Sequence, residues 1–298
     1  MTQPQAGDET AEGFVAASSI DDVRRLVRQA RAQSRRIGCV PTMGALHAGH
    51  VSLFEVCRRH ADFIVATIFV NPTQFGPQED FQRYPRPLAD DLRAAQAAGV
   101  DLVFTPDAET IYPEGFDTFV EVGGLSSVLE GEIRPGHFRG VATVVLKLFQ
   151  IVQPDVAVFG AKDYQQQAVL RQMTRDLNLP VEIVTALTIR EPDGLAMSSR
   201  NAYLSPKERK SALVLSESLA LAAARLANGD FDLGAIATAM REHLASGAGV
   251  QPEYALIVDP DTLEPLSAPQ PRMTALVAAR LGTTRLIDNR EIVLDEPS

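Results

Sequence analysis

A Rossmann-like, doubly wound parallel α/β sheet with a smaller C-terminal α+β domain is the fold the sequence predicts, on three observations. A chain of 298 residues exceeds the usual size of one core, so a large domain and a smaller one are expected. Short apolar runs without polar alternation recur between segments of helical period, which suits strands buried on both faces by helices. Past residue 190 that texture gives way to long helical patterns followed by strand-like runs, the order of a separate α+β unit.

The elements follow in chain order. Residues 1–13, "MTQPQAGDETAEG", are polar and acidic without the basic start and apolar centre of a secretory signal, so a flexible leader is expected. In the first domain, residues 14–188, the strand candidates are "IGCV" (37–40), "FIVATIFV" (63–70), "LVFTP" (102–106), "VAVFG" (156–160) and "VEIVTA" (181–186). Between them "VSLFEVCRRHA" (51–61) places Leu53, Phe54, Cys57 and Ala61 on one helical face, and "PLADDLRAAQAAG" (87–99) stops at Gly99. In the second domain, residues 189–298, "SPKERKSALVLSESLALAAARLANG" reads as one long helix. Ser205 is its N-cap, Pro206 its first position, Glu208 the capping-box partner and Gly229 its terminator. The helix "LGAIATAMREHLAS" and three strands, "EYALIVD", "MTALVAARLG" and "TRLIDNREIVL", complete a small antiparallel sheet with helices on it.

Composition narrows the function. With 45% apolar and 22% charged residues the chain has the make-up of an ordinary globular protein. A formal net charge of −10 argues against nucleic acid as a partner, which needs a surplus of Lys and Arg on one face. No run approaches the ~20 apolar residues that span a bilayer, so no membrane partner is expected. Cys39 and Cys57 lack CxxC or metal-ligand spacing and read as buried free thiols, which implies a cytoplasmic protein.

The chemistry lies in the loops. "PTMGALHAGH" (41–50) joins the strand "IGCV" to the helix after it, at the carboxyl end of a strand where open α/β sheets bind ligands. Free N–H groups at that helix start favour phosphate. His47 and His50 can face one side together, and Gly49 allows a nucleotide close to the backbone. Two imidazoles there can bond an α-phosphate and stabilise charge as pyrophosphate departs, the HxGH logic of nucleotidyl transfer. The same pattern also suits a helix-capping loop with incidental histidines.

Other loops add to it. In "REPDGLAMSSRN", Met197, Ser198, Ser199 and Arg200 offer two hydroxyls and a guanidinium for a triphosphate on a mobile loop, or make a plain surface turn before a capped helix. "FGAKDYQQQ" ends a strand at Gly160 and opens a helix with Lys162, Asp163, Gln165 and Gln166, where a cation for phosphate, an acceptor for ribose and an amide for a polar substrate can stand, or which forms a plain solvated helix start. In "FVNPTQF", Asn71 and Gln74 are neutral amides at a strand's carboxyl edge, suited to a hydroxy acid; Phe75 and Tyr84 read as packing residues. "EIRPGHFRGV" places Arg134, His137 and Arg139 in a Gly/Pro loop, either a flap carrying a cation or a solvated turn. Asp90 and Asp91, adjacent near a helix start, suit Mg2+ or simply the helix dipole.

With these residues in hand, the sequence resembles the pantoate–β-alanine ligase family, within the HxGH nucleotidyltransferase superfamily, over about residues 15–295. The resemblance rests on the ordered series "PTMGALHAGH", "FVNPTQF", "RPGHFRGV", "FGAKDYQQ", "DGLAMSSRN" and "LGTTRLIDN". It implies two steps: ATP and pantoate give pantoyl adenylate and pyrophosphate with Mg2+ assisting, then β-alanine attacks to give pantothenate and AMP. By matching position it implies an ATP site of Met43, Gly44, Ala45, Leu46, His47, Ala48, Gly49 and His50, with Gly160, Ala161, Lys162, Asp163, Ile189 and Met197 through Arg200. His50 matches the family's proton donor. Gln74 would meet pantoate and β-alanine, Gln166 pantoate, and Lys162, Ser198, Ser199 and Arg200 the transition state at phosphorus. Asn71 would serve positioning and Arg134 flap closure. Asp90 and Asp91 match metal ligands, and a homodimer is implied.

Two departures stand out. Ala161 replaces a glutamate common in the family, and Ala94 occupies the place of a third metal ligand, with Gln96 two further on. Mg2+ carried mainly by ATP is therefore the expectation. Competing readings are a cytidylyltransferase, a reduced aminoacyl-tRNA synthetase, which the acidic charge disfavours, and a nucleotide-binding regulator without catalysis. A mere binder has less need for His47, His50, Lys162 and Arg200 together.

Overall fold

A computed structural model describes residues 14–77 and 79–294; the expected leader lies outside the described residues. The chain forms two compact units, one running to Gly160 and resuming over Gln166–Leu187, the other made of Ala161–Gln165 and everything from Thr188 onward.

The first unit holds six parallel strands: β1 (Val15–Ala17), β2 (Ile37–Thr42), β3 (Phe63–Ile68), β4 (Leu102–Phe104), β5 (Val156–Gly160) and β6 (Glu182–Ala186), in the order β1-β4-β3-β2-β5-β6. The apolar runs lack alternation because both faces are covered. Ile37, Cys39, Phe63, Val65, Leu102, Phe104, Ala157 and Phe159 join one core, while Val40, Ile64, Ala66, Val103, Val156 and Val158 join another. Successive side chains of a strand point to opposite faces, so a strand between two helical layers needs apolar residues at every position. The first core is roofed by α1 (Ile20–Ala32) and α6 (His137–Val152), the second by α2 (Ala48–Arg58) and α3 (Leu88–Ala97); the one-turn helices α4 (Ala108–Ile111) and α5 (Glu130–Ile133) lie between β4 and α6 in the chain, and α7 (Tyr164–Asp176) follows β5. The chain builds outward from β2 through β3 to β4 and then returns to β5 on the other side of β2. The strand order therefore reverses at β2 and β5, and the crevice above their carboxyl ends is where such sheets bind ligands.

Three parts of this unit were not legible in the sequence. β1 and α1 precede the first strand expected, and the Gly/Pro stretch around Arg134 is followed by α6, a sixteen-residue helix that is mostly buried. The two thiols are free and buried as expected; burial holds the Cys39 thiol far above its ordinary range and raises Cys57 to about 12.

In the second unit β7 (Val250–Val258), β8 (Arg272–Leu281) and β9 (Thr284–Val293) form an antiparallel sheet with β8 central, covered by α9 (Leu213–Ala227) and α10 (Leu233–Ser246). The expected long helix is divided, because α8 (Pro206–Ser211) ends at Ala212, whose ψ of −18° tightens the turn before α9 starts. The capping box of Ser205 and Glu208 is present. Among the described residues no helix is long and apolar enough to cross a membrane.

Candidate active site

The HxGH stretch leaves β2 through a left-handed turn and becomes the start of α2. Gly44 and Ala45 take φ of 82° and 51°, a conformation glycine adopts freely and alanine at some cost. His47 is the N-cap of α2: its Nδ1 accepts the N–H of Gly49 at 3.1 Å, while Nδ1 of His50 accepts the N–H of His47 at 3.2 Å. The ring centroids lie 4.2 Å apart. Both histidines thus take part in capping the helix through Nδ1, which leaves the chemistry of each ring to Nε2. An imidazole that accepts at Nδ1 carries its proton at Nε2 when neutral, so the cap fixes the tautomer and makes Nε2–H the donor of each ring.

Below the turn sits Asp91, 2% exposed. Its Oδ2 accepts the N–H of Ala45 at 2.9 Å and its Oδ1 that of Leu46 at 2.7 Å. Asp90 is exposed and bonds Arg93 instead. Adjacent residues on a helix project about 100° apart, and these two carboxylates do not converge. No group of three or more His, Cys, Asp or Glu side chains able to hold a metal occurs among the described residues. The pair expected as Mg2+ ligands is thus split between one buried carboxylate committed to backbone amides and one exposed carboxylate committed to Arg93.

Gln74 lies in a short 3₁₀ turn after β3, 9% exposed, with Nε2 3.0 Å from Sδ of Met43. Asn71 supports it. The Asn71 Nδ2 donates to Gln74 Oε1 (3.1 Å) and to the Gly140 carbonyl (3.2 Å), and Oδ1 accepts from the hydroxyls of Tyr112 (2.8 Å) and Thr73 (3.0 Å). Asn71 is 1% exposed, so its polar atoms hold the turn in place. A Cβ at Gly140 would lie 2.3 Å from the Thr73 carbonyl oxygen; glycine is what lets α6 press against the turn.

Arg134, expected on a flap, is anchored here. It forms a bidentate pair with Glu79 at 2.6 and 2.7 Å, its Nη1 reaches His137 Nε2 at 3.0 Å, and Nη2 lies 3.4 Å from the Gln74 carbonyl. Arginine only donates, so Nε2 of His137 accepts and Nδ1–H donates to the Gln74 carbonyl at 2.8 Å. Burial first and the Arg134 charge second push the His137 pKa down to about 4, so the ring is neutral. At Glu79, burial works upward but the Arg134 bonds and charge prevail and hold the carboxylate below its ordinary range. This bracket of Glu79, Arg134 and His137 around Gln74 was invisible in the sequence, because Glu79 is distant from the other two and carries no motif of its own. Gln166 is half-buried in α7 (Tyr164–Asp176), and Gly160 closes β5.

In the second unit, Ile189 and Met197 are joined by the Met197 N–H bond to the Ile189 carbonyl (2.9 Å), next to an antiparallel bridge between Arg190 and Ala196. Ser198 caps the 3₁₀ turn Ser199–Tyr203, its Oγ accepting the Arg200 N–H at 3.3 Å. The expected loose loop is thus a bridged hairpin leading into a capped turn. Arg190 pairs bidentately with Asp288 at 2.7 and 3.0 Å, and that carboxylate is buried. The adjacent Asn289 donates both N–H bonds of its amide to the carbonyls of Ala161 (2.9 Å) and Lys162 (2.8 Å). The "LIDN" run of β9 therefore supports both the Lys162 segment and the hairpin. Asp163 is exposed.

Known proteins resemble this chain throughout. The family pattern described as pantoate-beta-alanine ligase matches residues 16–291. Pantothenate synthetase 1 of Bradyrhizobium diazoefficiens is 53% identical over 91% of this chain and 96% of its own length. A pantothenate synthetase of Thermoanaerobacter is 50% identical over 93% and 98%. The crystal structure of pantothenate synthetase from Thermus thermophilus superposes with a TM-score of 0.90 at 48% identity, covering 94% of this chain and 99% of that one. The pantoate-beta-alanine ligase of Francisella tularensis, solved with beta-gamma ATP and beta-alanine, gives 0.77 at 33% identity, covering 93% and 97%. Sequence pattern, relatives and solved structures agree over nearly the whole chain, which belongs to the pantoate-β-alanine ligase family.

Proposed function

We infer that this chain joins pantoate to β-alanine at the expense of ATP, through a pantoyl-adenylate intermediate. The observation that carries the reading is the paired capping of His47 and His50, which commits both Nδ1 atoms to backbone N–H groups and makes Nε2–H the donor of each ring at a helix start. Donors at that place match a phosphate oxygen.

In the first step a carboxylate oxygen of pantoate attacks the α-phosphorus of ATP, and the bond to the β-phosphate oxygen breaks with its electron pair leaving on pyrophosphate. Negative charge grows on the phosphoryl oxygens and the leaving group. His47 and His50 meet it with N–H donors, and Lys162, Arg200, Ser198 and Ser199 supply ammonium, guanidinium and hydroxyl groups. In the second step the neutral amine of β-alanine attacks the acyl carbon, AMP departs with the electrons of the acyl–oxygen bond, and the nitrogen loses a proton. A bare carboxylate has no such leaving group, which is why ATP is spent. Gln74, held by Asn71 and by the Arg134–His137 bracket, presents an amide to both acid and amine; Gln166 presents another to pantoate.

Met43 through His50, Gly160 through Asp163, Ile189 and Met197 through Arg200 make up the proposed ATP-contacting set. Mg2+ enters as the partner of ATP's own phosphates, and no protein carboxylate is assigned to it. A homodimer through the larger unit and a cytoplasmic location complete the reading, the first open to light scattering.

The test is incubation with ATP, Mg2+ and a panel of hydroxy acids without any amine, followed by mass spectrometry. Pantoyl adenylate is the expected product. Pyrophosphate release should require pantoate, and AMP release should require β-alanine as well. A cytidylyltransferase or a silent nucleotide binder gives neither dependence.

A further inference from the structure

We propose that Asp91 is a positioning residue for the histidine turn and not a ligand of Mg2+, a role that rests on His47 and His50 acting as phosphate donors. The left-handed pair Gly44 and Ala45 directs successive N–H groups, those of Ala45 and Leu46, to one side of the chain. Such paired amides form a receptor for an anion. Here the receptor is filled from within. One carboxylate oxygen takes each N–H, at 2.9 and 2.7 Å, and the carboxylate is shielded from solvent. The fit is close from the other side as well, since a Cβ on Gly44 would come within 2.8 Å of Oδ2. Thr42 adds a third restraint: its Oγ1 accepts the Gly44 N–H at 3.2 Å and donates to the Thr67 carbonyl at 2.6 Å.

The consequence is one of register. With both amides occupied by an internal negative charge, a phosphate entering this turn is repelled from the Ala45–Leu46 amides and meets the imidazoles instead. Asp91 thereby sets which donors the turn offers to ATP. It also fixes a strained backbone whose free form would be mobile. A metal-ligand role asks for a further lone pair turned toward the metal and a convergent second carboxylate; the Asp91 oxygens face the amides and are shielded, and Asp90 turns to Arg93.

Asp91→Asn keeps the shape and removes the charge, leaving an NH2 group facing one of the two N–H donors. In the full-length protein, three quantities are compared for the unsubstituted chain, Asp91→Asn and Asp90→Asn. They are residue-resolved amide exchange at Ala45 and Leu46, KM and kcat for ATP in pantoate-dependent pyrophosphate release, and the Mg2+ concentration giving half the maximal rate. For Asp91→Asn the expected result is roughly tenfold or greater acceleration of exchange at both amides and a similar rise in KM for ATP, the scale of one lost charge-assisted bond. The half-saturating Mg2+ concentration should stay within about twofold, and Asp90→Asn should leave all three unchanged, as an exposed pair contributes little. Amide exchange unchanged in Asp91→Asn, or a tenfold rise in the Mg2+ requirement shared by both variants, overturns the proposal. Should Asp91→Asn fail to fold, Gly44→Ala, which presses on Oδ2 from the opposite side, is expected to give the same pattern; normal exchange at Ala45 and Leu46 in a folded Gly44→Ala protein overturns the proposal too. If the unsubstituted chain releases no pyrophosphate with pantoate, the functional reading falls by itself, and amide exchange still decides the role of Asp91.

Discussion

Nδ1 of His50 accepts the backbone N–H of His47 at 3.2 Å, so the second histidine of the motif holds the first in place by its own ring. The cap contact of His50 and its proposed role as a phosphate donor can be separated. His50→Ala should lose the cap contact, about 1 kcal/mol of stability, and a transition-state donor, a loss of about 10²–10³ in kcat. His50→Asn puts an amide oxygen near the place of Nδ1 and restores the cap but not the Nε2–H donor. Thermal unfolding with pyrophosphate release measures both: the asparagine variant should recover stability and not rate. Recovery of both would remove His50 from the chemistry.

The His137 pKa of about 4 predicts a pH dependence of stability. The folded value lies below the ordinary value of about 6.5, so the unfolded chain binds the proton first as pH falls. The contribution of neutral His137 is complete above pH ~6.5 and is lost on descent through the folded pKa; its size is at most about 3 kcal/mol. Denaturant unfolding between pH 7 and pH 4 should therefore show a slope that His137→Gln flattens. An unaltered slope would mean that the ring is not held neutral.

Gly140→Ala should act on substrate affinity from a distance. The new methyl group would stand 2.3 Å from the Thr73 carbonyl oxygen and 2.7 Å from the Gln74 nitrogen, so the turn has to move. Overpacking of this kind costs about 1–3 kcal/mol. KM for pantoate should rise with KM for ATP little changed; equal effects on both would show general loosening instead.

Asn289→Ala leaves the carbonyls of Ala161 and Lys162 without their shared donor. Unsatisfied carbonyls of this sort cost about 1–3 kcal/mol, and Lys162 loses its fixed backbone. The expected signature is a fall in kcat for adenylation together with a lower midpoint of unfolding, whereas Lys162→Ala should lower kcat with little change in the midpoint. A normal kcat in Asn289→Ala would show that Lys162 is positioned by other contacts.

Much of the fold could be read from sequence, because a strand buried on both faces leaves a mark at every residue: Ile64 and Val65 are both apolar because they face different cores. β1 left no comparable mark, being three residues long. The helix carrying His137, just after Arg134, was hidden by the Gly and Pro residues before it, while the apolar stripe that defines α6 begins only afterwards. At the site, the motif histidines were legible through their spacing. What spacing could not show is that Asp91 faces two amides and Asp90 faces solvent, since adjacent acids look alike until the helix phase is known. Asn289 and Glu79 were missed for a related reason: each acts through a contact with a residue far away in the chain.

Attack by the pantoate carboxylate on the α-phosphorus of ATP is the step on which every assigned role depends. Pantoate labelled with 18O in its carboxylate, carried through the complete reaction with β-alanine, decides it by mass spectrometry of the products. One labelled oxygen in AMP and none in pyrophosphate is the expected result. Label in pyrophosphate or in inorganic phosphate, or unlabelled AMP, would contradict it.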